Sequence, residues 1–213
     1  MTDGVAPDTV ISVHLQIAGE TSPWVRLGLP FRERPGDGGR VDVDNCSLIV
    51  RPDVARPSLG LGLVIGGHVV ADAIDGIDLV EPPDDPMPAP GAIGALSVDH
   101  LVVMTDSLER TSAEVGRVTG QPLKRIREAP GGVRQGFHRL GPGGVIIEIV
   151  ERADVTTPAL WGFVLTVADL DAAIDRADGL IGAARDAVQP GRRIATVRSS
   201  AGLGVPVALL SVG

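Results

Sequence analysis

A histidine and a carboxylate interrupt two segments of the chain that are otherwise apolar. His100 lies within "LSVDHLVVMT" and Glu148 lies within "GVIIEIVE". Imidazole and carboxylate groups serve as ligands of divalent metals and as proton-transfer groups. Because burying an unpaired carboxylate is costly, Glu148 faces solvent by strand alternation, hydrogen-bonds with His100, or binds a metal. This pair is the strongest candidate for chemistry in the sequence.

The three other histidines are weaker candidates for a functional role. His14, in "ISVHLQI", occupies the same place in its predicted strand as His100, so it is either a half-buried strand residue or a further ligand. His138, in "GFHRLG", lies on a strand predicted to line a pocket and is the candidate catalytic residue for proton transfer. The alternative for His138 is a surface position beside Arg139. His68 follows two glycines and is predicted to lie in a loop.

Arginines on predicted strands could bind the anionic group of a ligand, because guanidinium forms bidentate hydrogen bonds with carboxylate and phosphate. Strand alternation directs about half of such side chains to solvent instead. Arg134, Arg139, Arg192 and Arg193 fall on the predicted third strands of the two repeats, and one or two of them could bind such a group. The predicted ligand-binding residues are Arg134, Arg139, Arg193 and Trp161.

The net charge and the short apolar runs of the chain argue against nucleic-acid and membrane partners. The chain has 213 residues and a formal net charge of −8, which repels phosphate backbones and anionic membrane surfaces. Its apolar runs are far shorter than the ~20 residues of a spanning helix, and the start of the chain lacks a signal-peptide pattern. We therefore expect a cytoplasmic protein that binds neither nucleic acid nor membrane.

Cys46 is the only cysteine, which excludes an intrachain disulfide and a thiolate zinc site. A lone cysteine on an apolar strand is typical of a small core residue, and a catalytic role is the alternative. Trp24 opens another apolar segment and is predicted to lie in the core or in a pocket wall.

An internal repeat predicts the architecture. The segment from Leu101 matches that from Phe163, with Leu108 against Leu170 at a displacement of 62 residues. Each copy passes from an apolar run into a helix and ends on another apolar run. Asp106 and Glu109 stand at capping-box spacing in the first copy, and Asp169 is the predicted N-cap in the second. With the intervening β-rich segments, each copy is a predicted βαβββ unit.

The units define the predicted domain organisation of an α+β fold. Two βαβββ units cover 96–152 and 153–213, and their curved mixed sheets should carry helices on the outer faces. Residues 1–80 show an eroded version of the same pattern. The segment 81–95 is rich in proline and acidic residues and is predicted to be an extended linker.

The strand "VDHLVV", the helix entry "VADLDAA" and the closing strand "GGVIIEIVE" resemble the vicinal oxygen chelate superfamily. That superfamily includes glyoxalases, bleomycin-resistance proteins, extradiol dioxygenases and methylmalonyl-CoA epimerase, and the chain looks most like a glyoxalase-like branch. The resemblance implies two units that form a half-open cup for a small molecule. It implies a metal-dependent lyase, isomerase or dioxygenase, or else a metal-free binding protein of the bleomycin-resistance type.

The resemblance also implies where metal ligands would lie, on the first and last strands of each unit. His100 and Glu148 occupy these positions in one unit, but the corresponding positions of the other are Gly162 and Ala208, which cannot bind a metal. His14 would supply a third ligand if the N-terminal unit packs against the middle one, within a chain or across a homodimer. The set His14, His100 and Glu148 would suit one divalent ion of Fe, Mn, Zn or Ni.

Overall fold

The protein is described by a computed structural model that covers residues 10–29, 31–34, 38–52, 58–82 and 94–213. Most of the predicted linker, from 83 to 93, lies outside these residues. Within the described ranges, every helix is too short or too polar to cross a membrane.

The N-terminal part forms a six-stranded sheet in the order β2-β3-β4-β1-β5-β6. β1 is parallel to β4 and antiparallel to β5. A short helix, α1, joins β1 to β2, so that the first four strands and the helix make one βαβββ unit. The elements are β1 (Ile11–Ala18), α1 (Ser22–Arg26), β2 (Arg32–Arg34), β3 (Gly38–Val43), β4 (Cys46–Arg51), β5 (Leu59–Ile65) and β6 (His68–Val69).

The C-terminal part forms an eight-stranded sheet in the order β12-β13-β14-β11-β7-β10-β9-β8. Its first unit consists of β7 (Ala95–Thr105), α2 (Leu108–Thr119), β8 (Leu123–Ala129), β9 (Val133–Arg139) and β10 (Ile146–Glu151). Its second unit consists of β11 (Ala159–Val167), α3 (Leu170–Arg176), β12 (Arg185–Asp186), β13 (Arg193–Thr196) and β14 (Val207–Ser211). In each unit the first strand is parallel to the last, and β7 meets β11 in antiparallel pairing. The predicted α+β fold of paired βαβββ units is confirmed.

The helix starts follow the sequence signals in one unit and differ in the other. Asp169 is the N-cap of α3 and accepts a hydrogen bond from the backbone N–H of Ala172, as predicted. The N-cap of α2 is Ser107, whose hydroxyl accepts from the backbone N–H of Arg110. The predicted capping box at Asp106 is therefore wrong by one residue, because the Asp106 carboxylate pairs with the Arg110 guanidinium instead.

One hydrophobic core joins the two sheets. The Trp24 ring of α1 stacks on Phe163 of β11, with ring centroids 6.1 Å apart and planes at 3°. Phe163 lies opposite Leu101 across an antiparallel pair, on the sheet face away from His100. Val13 and the other buried residues of β1 belong to the same core. The sheets therefore pack core face to core face, which confirms Trp24 as a core residue.

The fold also accounts for Cys46. Its side chain is buried in β4, and burial raises the pKa of the thiol well above its usual range. A thiol that stays protonated is a poor nucleophile, so the structure agrees with the interpretation of Cys46 as a small core residue.

Candidate functional site

A β-bulge brings an aspartate and a histidine to the same face of β7. Val164 of β11 pairs with His100 and the next residue, Leu165, pairs with Val98, so Asp99 is an extra residue in the ladder. The Asp99 Oδ2 atom lies 2.8 Å from His100 Nδ1. Strict alternation would have sent these adjacent side chains to opposite faces.

Hydrogen bonds from the N-terminal unit stabilise the β-bulge. Asn45, in the turn between β3 and β4, hydrogen-bonds with both backbone groups of Val98. The distances are 3.0 Å from Asn45 Nδ2 to the Val98 carbonyl and 2.9 Å from the Val98 N–H to Asn45 Oδ1. These bonds satisfy the backbone groups next to the extra residue, where ladder pairing is disrupted.

His100 faces Glu148 across the parallel pair of β7 and β10. Its Nε2 atom lies 3.2 Å from Glu148 Oε2, and Gln135 of β9 donates a hydrogen bond of 2.7 Å to the other carboxylate oxygen. The structure thus brings together the pair that the sequence singled out. It places Glu148 in a hydrogen-bonded cluster, partly buried, rather than free in solvent.

Arg192 of the second unit completes the cluster. Its guanidinium donates a hydrogen bond of 2.8 Å to Asp99 Oδ1, and it also donates to the Ser211 carbonyl and to Gln189. Burial raises the pKa of the Asp99 carboxyl, but the hydrogen bonds from His100 and Arg192 outweigh burial and leave it lowered. Asp99 therefore stays ionised and connects the two units through their side chains.

Asp99, His100 and Glu148 form one wall of a pocket of about 200 Å³, which we call the cup. Three arginines also line it: Arg125 and Arg127 from β8, and Arg185 from β12. The Arg125 guanidinium lies 4.7 Å from the centroid of the Phe137 ring, in cation–π geometry. Arg127 donates to Gln135. Within the described residues, none of the three forms a salt bridge, so positive charge is concentrated in the cup.

Of the four arginines named from the sequence, Arg192 binds Asp99 beside the cup and the other three lie elsewhere. Arg134 pairs with Glu109 and Glu151, and Arg193 pairs with Asp171 at 2.8 Å. These ion pairs occupy both side chains outside the cup.

Arg139 is exposed and donates to the Gly144 carbonyl. Trp161 is 50% exposed and is the extra residue of a second register shift, between Leu160 and Gly162. Neither side chain lines the cup. The sequence carried one signal for the arginines that do: Arg125 and Arg127 stand two residues apart on one strand, so they share a face.

His138 lies on the opposite face of β9 from the cup. It is 1% exposed, its Nε2 is 2.8 Å from the Ser112 hydroxyl of α2, and its Nδ1 is 2.9 Å from the Gln121 carbonyl. The expectation that His138 lines the pocket is wrong, because its neighbour Phe137 has the cup-facing position. Burial lowers the pKa of His138, and the hydrogen bond to Gln121 opposes that shift only in part.

His14 lies in the other sheet, on the face of β1 that points away from the shared core. It lines a separate cleft of about 1010 Å³ that includes neither His100 nor Glu148. Burial and the nearby charge of Arg40 lower the pKa of His14. Because the two sheets pack core face to core face, the structure does not bring His14 and His100 together within one chain.

The strand order repeats within the eight-stranded sheet. β8-β9-β10-β7 and β12-β13-β14-β11 follow one pattern and join at their first strands. This is the arrangement of paired units that the resemblance to the vicinal oxygen chelate superfamily implies. Solved structures with this likeness include methylmalonyl-CoA epimerase from Mycobacterium tuberculosis, at 17% identity and a TM-score of 0.48, over 56% of this chain and 90% of that one.

Two other solved structures show a similar likeness. Methylmalonyl-CoA epimerase from Streptomyces coelicolor, in complex with 2-nitronate-propionyl-CoA, is 18% identical with a TM-score of 0.47, over 56% of this chain and 99% of that one. A hypothetical protein from Bacillus halodurans is 14% identical with a TM-score of 0.46, over 55% and 94% of the two chains. No family model and no curated protein matches the sequence.

The residues of the paired units do not fit the metal that the resemblance implies. In the described ranges there is no group of three or more His, Cys, Asp or Glu side chains that could hold a metal ion. Both ring nitrogens of His100 already face carboxylates. At Gly162 an added Cβ would lie 2.3 Å from the Pro206 carbonyl oxygen, so no ligand side chain fits there. Ala208 offers no donor atom.

Proposed function

We propose that the cup binds a small organic anion and that it does so without a metal ion. The observation that carries this proposal is the set of three arginines around the cup, Arg125, Arg127 and Arg185, none of which has a salt bridge to a described carboxylate. The protein is then a small-molecule binding protein of the glyoxalase-like class, and the reacting or retained group of its ligand is negatively charged.

The carboxylates inside the cup leave these arginines available. Asp99 is bound by His100 and Arg192, and Glu148 is bound by His100 and Gln135. Since the whole chain carries a net charge of −8, its long-range field disfavours anions. Positive charge concentrated in one concave site therefore indicates a specific anionic ligand.

Apolar residues between the charged groups indicate the body of the ligand. Phe137, Ile146, Ile194 and Leu210 line the cup beside the arginines. Its volume of about 200 Å³ is below the ~300–1,000 Å³ usual for drug-sized ligands. The site suits a small acid whose apolar part packs on Phe137 while its carboxylate or phosphate reaches a guanidinium. His100 and Glu148 supply polar contacts that fix the ligand's orientation.

Benzoate is a suitable probe, because it combines one ring with one carboxylate. A titration followed by ¹H–¹⁵N correlation spectra should shift the amide signals of β9 and β10 around Gln135 and Glu148. Arg125→Gln and Arg185→Gln should each weaken benzoate binding about fivefold, which corresponds to about 1 kcal/mol for an exposed charge pair. Arg139→Gln is the matched control, since this exposed arginine lies outside the cup. Equal affinity in all variants would contradict the proposal.

A metal-dependent lyase, isomerase or dioxygenase is the second candidate. The observation that favours it is the pair His100 and Glu148, 3.2 Å apart in the cup. Elemental analysis of the untagged protein, before and after chelator and after exposure to Mn, Fe, Zn or Ni, separates the two candidates. Near one equivalent of metal that vanishes in a His100→Ala, Glu148→Ala double variant would establish the second candidate. An absence of metal in both proteins would support the first.

A further inference from the structure

We infer that the face of the N-terminal sheet around His14 is a second ligand site, for small molecules that carry an amine or amide N–H donor. The site is separate from the cup and does not depend on the function proposed for it. We call it the His14 cleft, lined by His14, Arg40, Asp42 and Ser47, with the loop 140–144 at its side.

The strand register places the four side chains together. Ser47 of β4 pairs with His14 of β1 on one side and with Asp42 of β3 on the other. Arg40 is two residues from Asp42 and therefore shares its face. The cleft has a volume of about 1010 Å³, which is ample for a small molecule.

A buried ion pair lies in the wall of the cleft. Arg40 is only 8% exposed, its Nε donates a hydrogen bond of 2.9 Å to Asp42 Oδ1, and its Nη2 donates one of 2.9 Å to the Ser47 hydroxyl. Desolvating two charges costs several kcal/mol per ion, and apolar residues in their place are often equally stable. Stability alone therefore does not account for this pair.

Two buried atoms indicate which chemistry the ligand brings. His14 Nδ1 and Asp42 Oδ2 have no hydrogen-bond partner among the described residues, and both atoms are closed to solvent, so a ligand reaches them only when the side chains around them shift. Buried polar atoms are nearly always paired in native proteins. An ionised carboxylate oxygen can only accept a hydrogen bond, so the partner that Asp42 Oδ2 lacks is a donor.

The local charge excludes an anion as the ligand. Asp42 already neutralises Arg40, and Asp44 adds a further negative charge at the edge of the cleft. A carboxylate or phosphate would place a like charge beside two aspartates. An ammonium or a neutral amide instead donates N–H groups to Asp42.

Three probes with one ring and different polar groups test this inference: benzylamine, benzamide and benzoate. With the full chain, ¹H–¹⁵N correlation spectra are recorded during each titration. Benzylamine or benzamide should shift the amide signals of Ser12 to Gln16 and of Ser47. A response to benzylamine alone identifies a cationic ligand, and a response to both identifies N–H donation as the shared requirement. If benzoate moves these signals, or if no probe does, the inference is wrong.

Variants of the cleft decide whether the shifts come from the proposed contacts. Asp42→Asn should weaken benzylamine binding about tenfold, because it removes the charge that accepts the N–H. Asp171→Asn is the matched control, since the same change at this exposed position outside the cleft should alter affinity less than twofold. His14→Leu keeps the Arg40–Asp42 pair and should weaken benzylamine and benzamide at least threefold. It decides the result if Asp42→Asn does not fold, and unchanged affinity in His14→Leu would overturn the inference.

The same spectra keep this inference apart from the function proposed for the cup. Benzoate shifts at Gln135 and Glu148 report on the cup, whereas amine and amide shifts at Ser12 to Gln16 report on the His14 cleft. Either set of signals can fail without affecting the other, because the two sites lie on different sheets.

Discussion

His14 and His100 occupy the middle of the first strand of similar units, yet different charged side chains surround them. His100 lies between the carboxylates of Asp99 and Glu148, with arginines across the cup. His14 lies beside the Arg40 charge and has a ring nitrogen without a partner in the described structure. The comparison shows that one strand scaffold can hold its histidine among different charged neighbours, because the adjacent strands supply those side chains.

The strands themselves differ at one residue. β7 has the extra residue Asp99 in its pairing with β11, whereas the pairing of β1 with β5 runs without a register shift from Ile11 to Ile17. His14 therefore receives no carboxylate from its own strand. The extra residue in β7 therefore places His100 in a charged cluster.

The comparison of the two histidines assumes that the two sheets share one core. Trp24→Ala tests that shared core and should have the largest effect. Removing the ring that stacks on Phe163 should lower the free energy of unfolding by about 3–5 kcal/mol, measured by urea denaturation. Trp161→Ala is the control, because that ring is half exposed and should cost less than about 1 kcal/mol. Two separate transitions, of which Trp24→Ala alters at most one, would mean that the sheets fold independently.

Gly162→Ala tests whether β11 has room for a side chain at the position where the family resemblance implies a metal ligand. The new Cβ would meet the Pro206 carbonyl at 2.3 Å, so the variant should lose about 2–3 kcal/mol of stability. Ala208→Ser, at the other position without a ligand, should cost less. Wild-type stability in Gly162→Ala would show that the strand can shift and would reopen this position to a ligand.

Asp99→Asn tests the carboxylate that lies beside His100 and has no counterpart beside His14 on its own strand. Loss of the charge should destabilise the fold by about 1–2 kcal/mol, because Asp99 binds both His100 and Arg192 in a partly buried site. The same change should tighten benzoate binding a few-fold, since it leaves the cup more positive. Stability and affinity should thus move in opposite directions. A parallel loss of both would indicate that the carboxylate holds the cup in shape.

The stability of the protein should fall on mild acidification. Burial lowers the pKa of His138 in the folded state, so the unfolded chain binds more protons once the pH drops below about 6.5. His14 acts in the same direction. The free energy of unfolding should therefore decrease from pH 7.5 to pH 5, by at most about 1.4 kcal/mol per pH unit for each histidine. His138→Gln should reduce this slope, and an unchanged slope would contradict the assignment.

Local sequence signals predicted the repeated elements well. The displacement between Leu108 and Leu170 matches two real βαβββ units, and Asp169 caps its helix as expected. The pair of His100 and Glu148 was also recognisable, since each interrupts an apolar strand. Such features depend on periodicities of 2 and 3.6 residues and on capping chemistry within a few residues.

Side-chain directions near irregularities were less predictable. The β-bulge turns Asp99 into the cup, and no alternation rule contains that information. His138 was a candidate for the pocket or for the surface, and its buried position on the other face of β9 was not predictable, because a shift of one residue in a strand exchanges its two sides. Arg185 lies on a two-residue strand, too short to give a pattern.

The sequence by itself determined the units, their strand and helix types, and the two polar residues that stand out in the first unit. Only the tertiary structure decided that the N-terminal sheet packs core face to core face on the paired units, with Trp24 against Phe163. That packing separates His14 from His100 and leaves them in two different cavities. The reason is physical: elements arise from neighbours along the chain, whereas a site requires side chains from distant strands, whose meeting depends on register and burial.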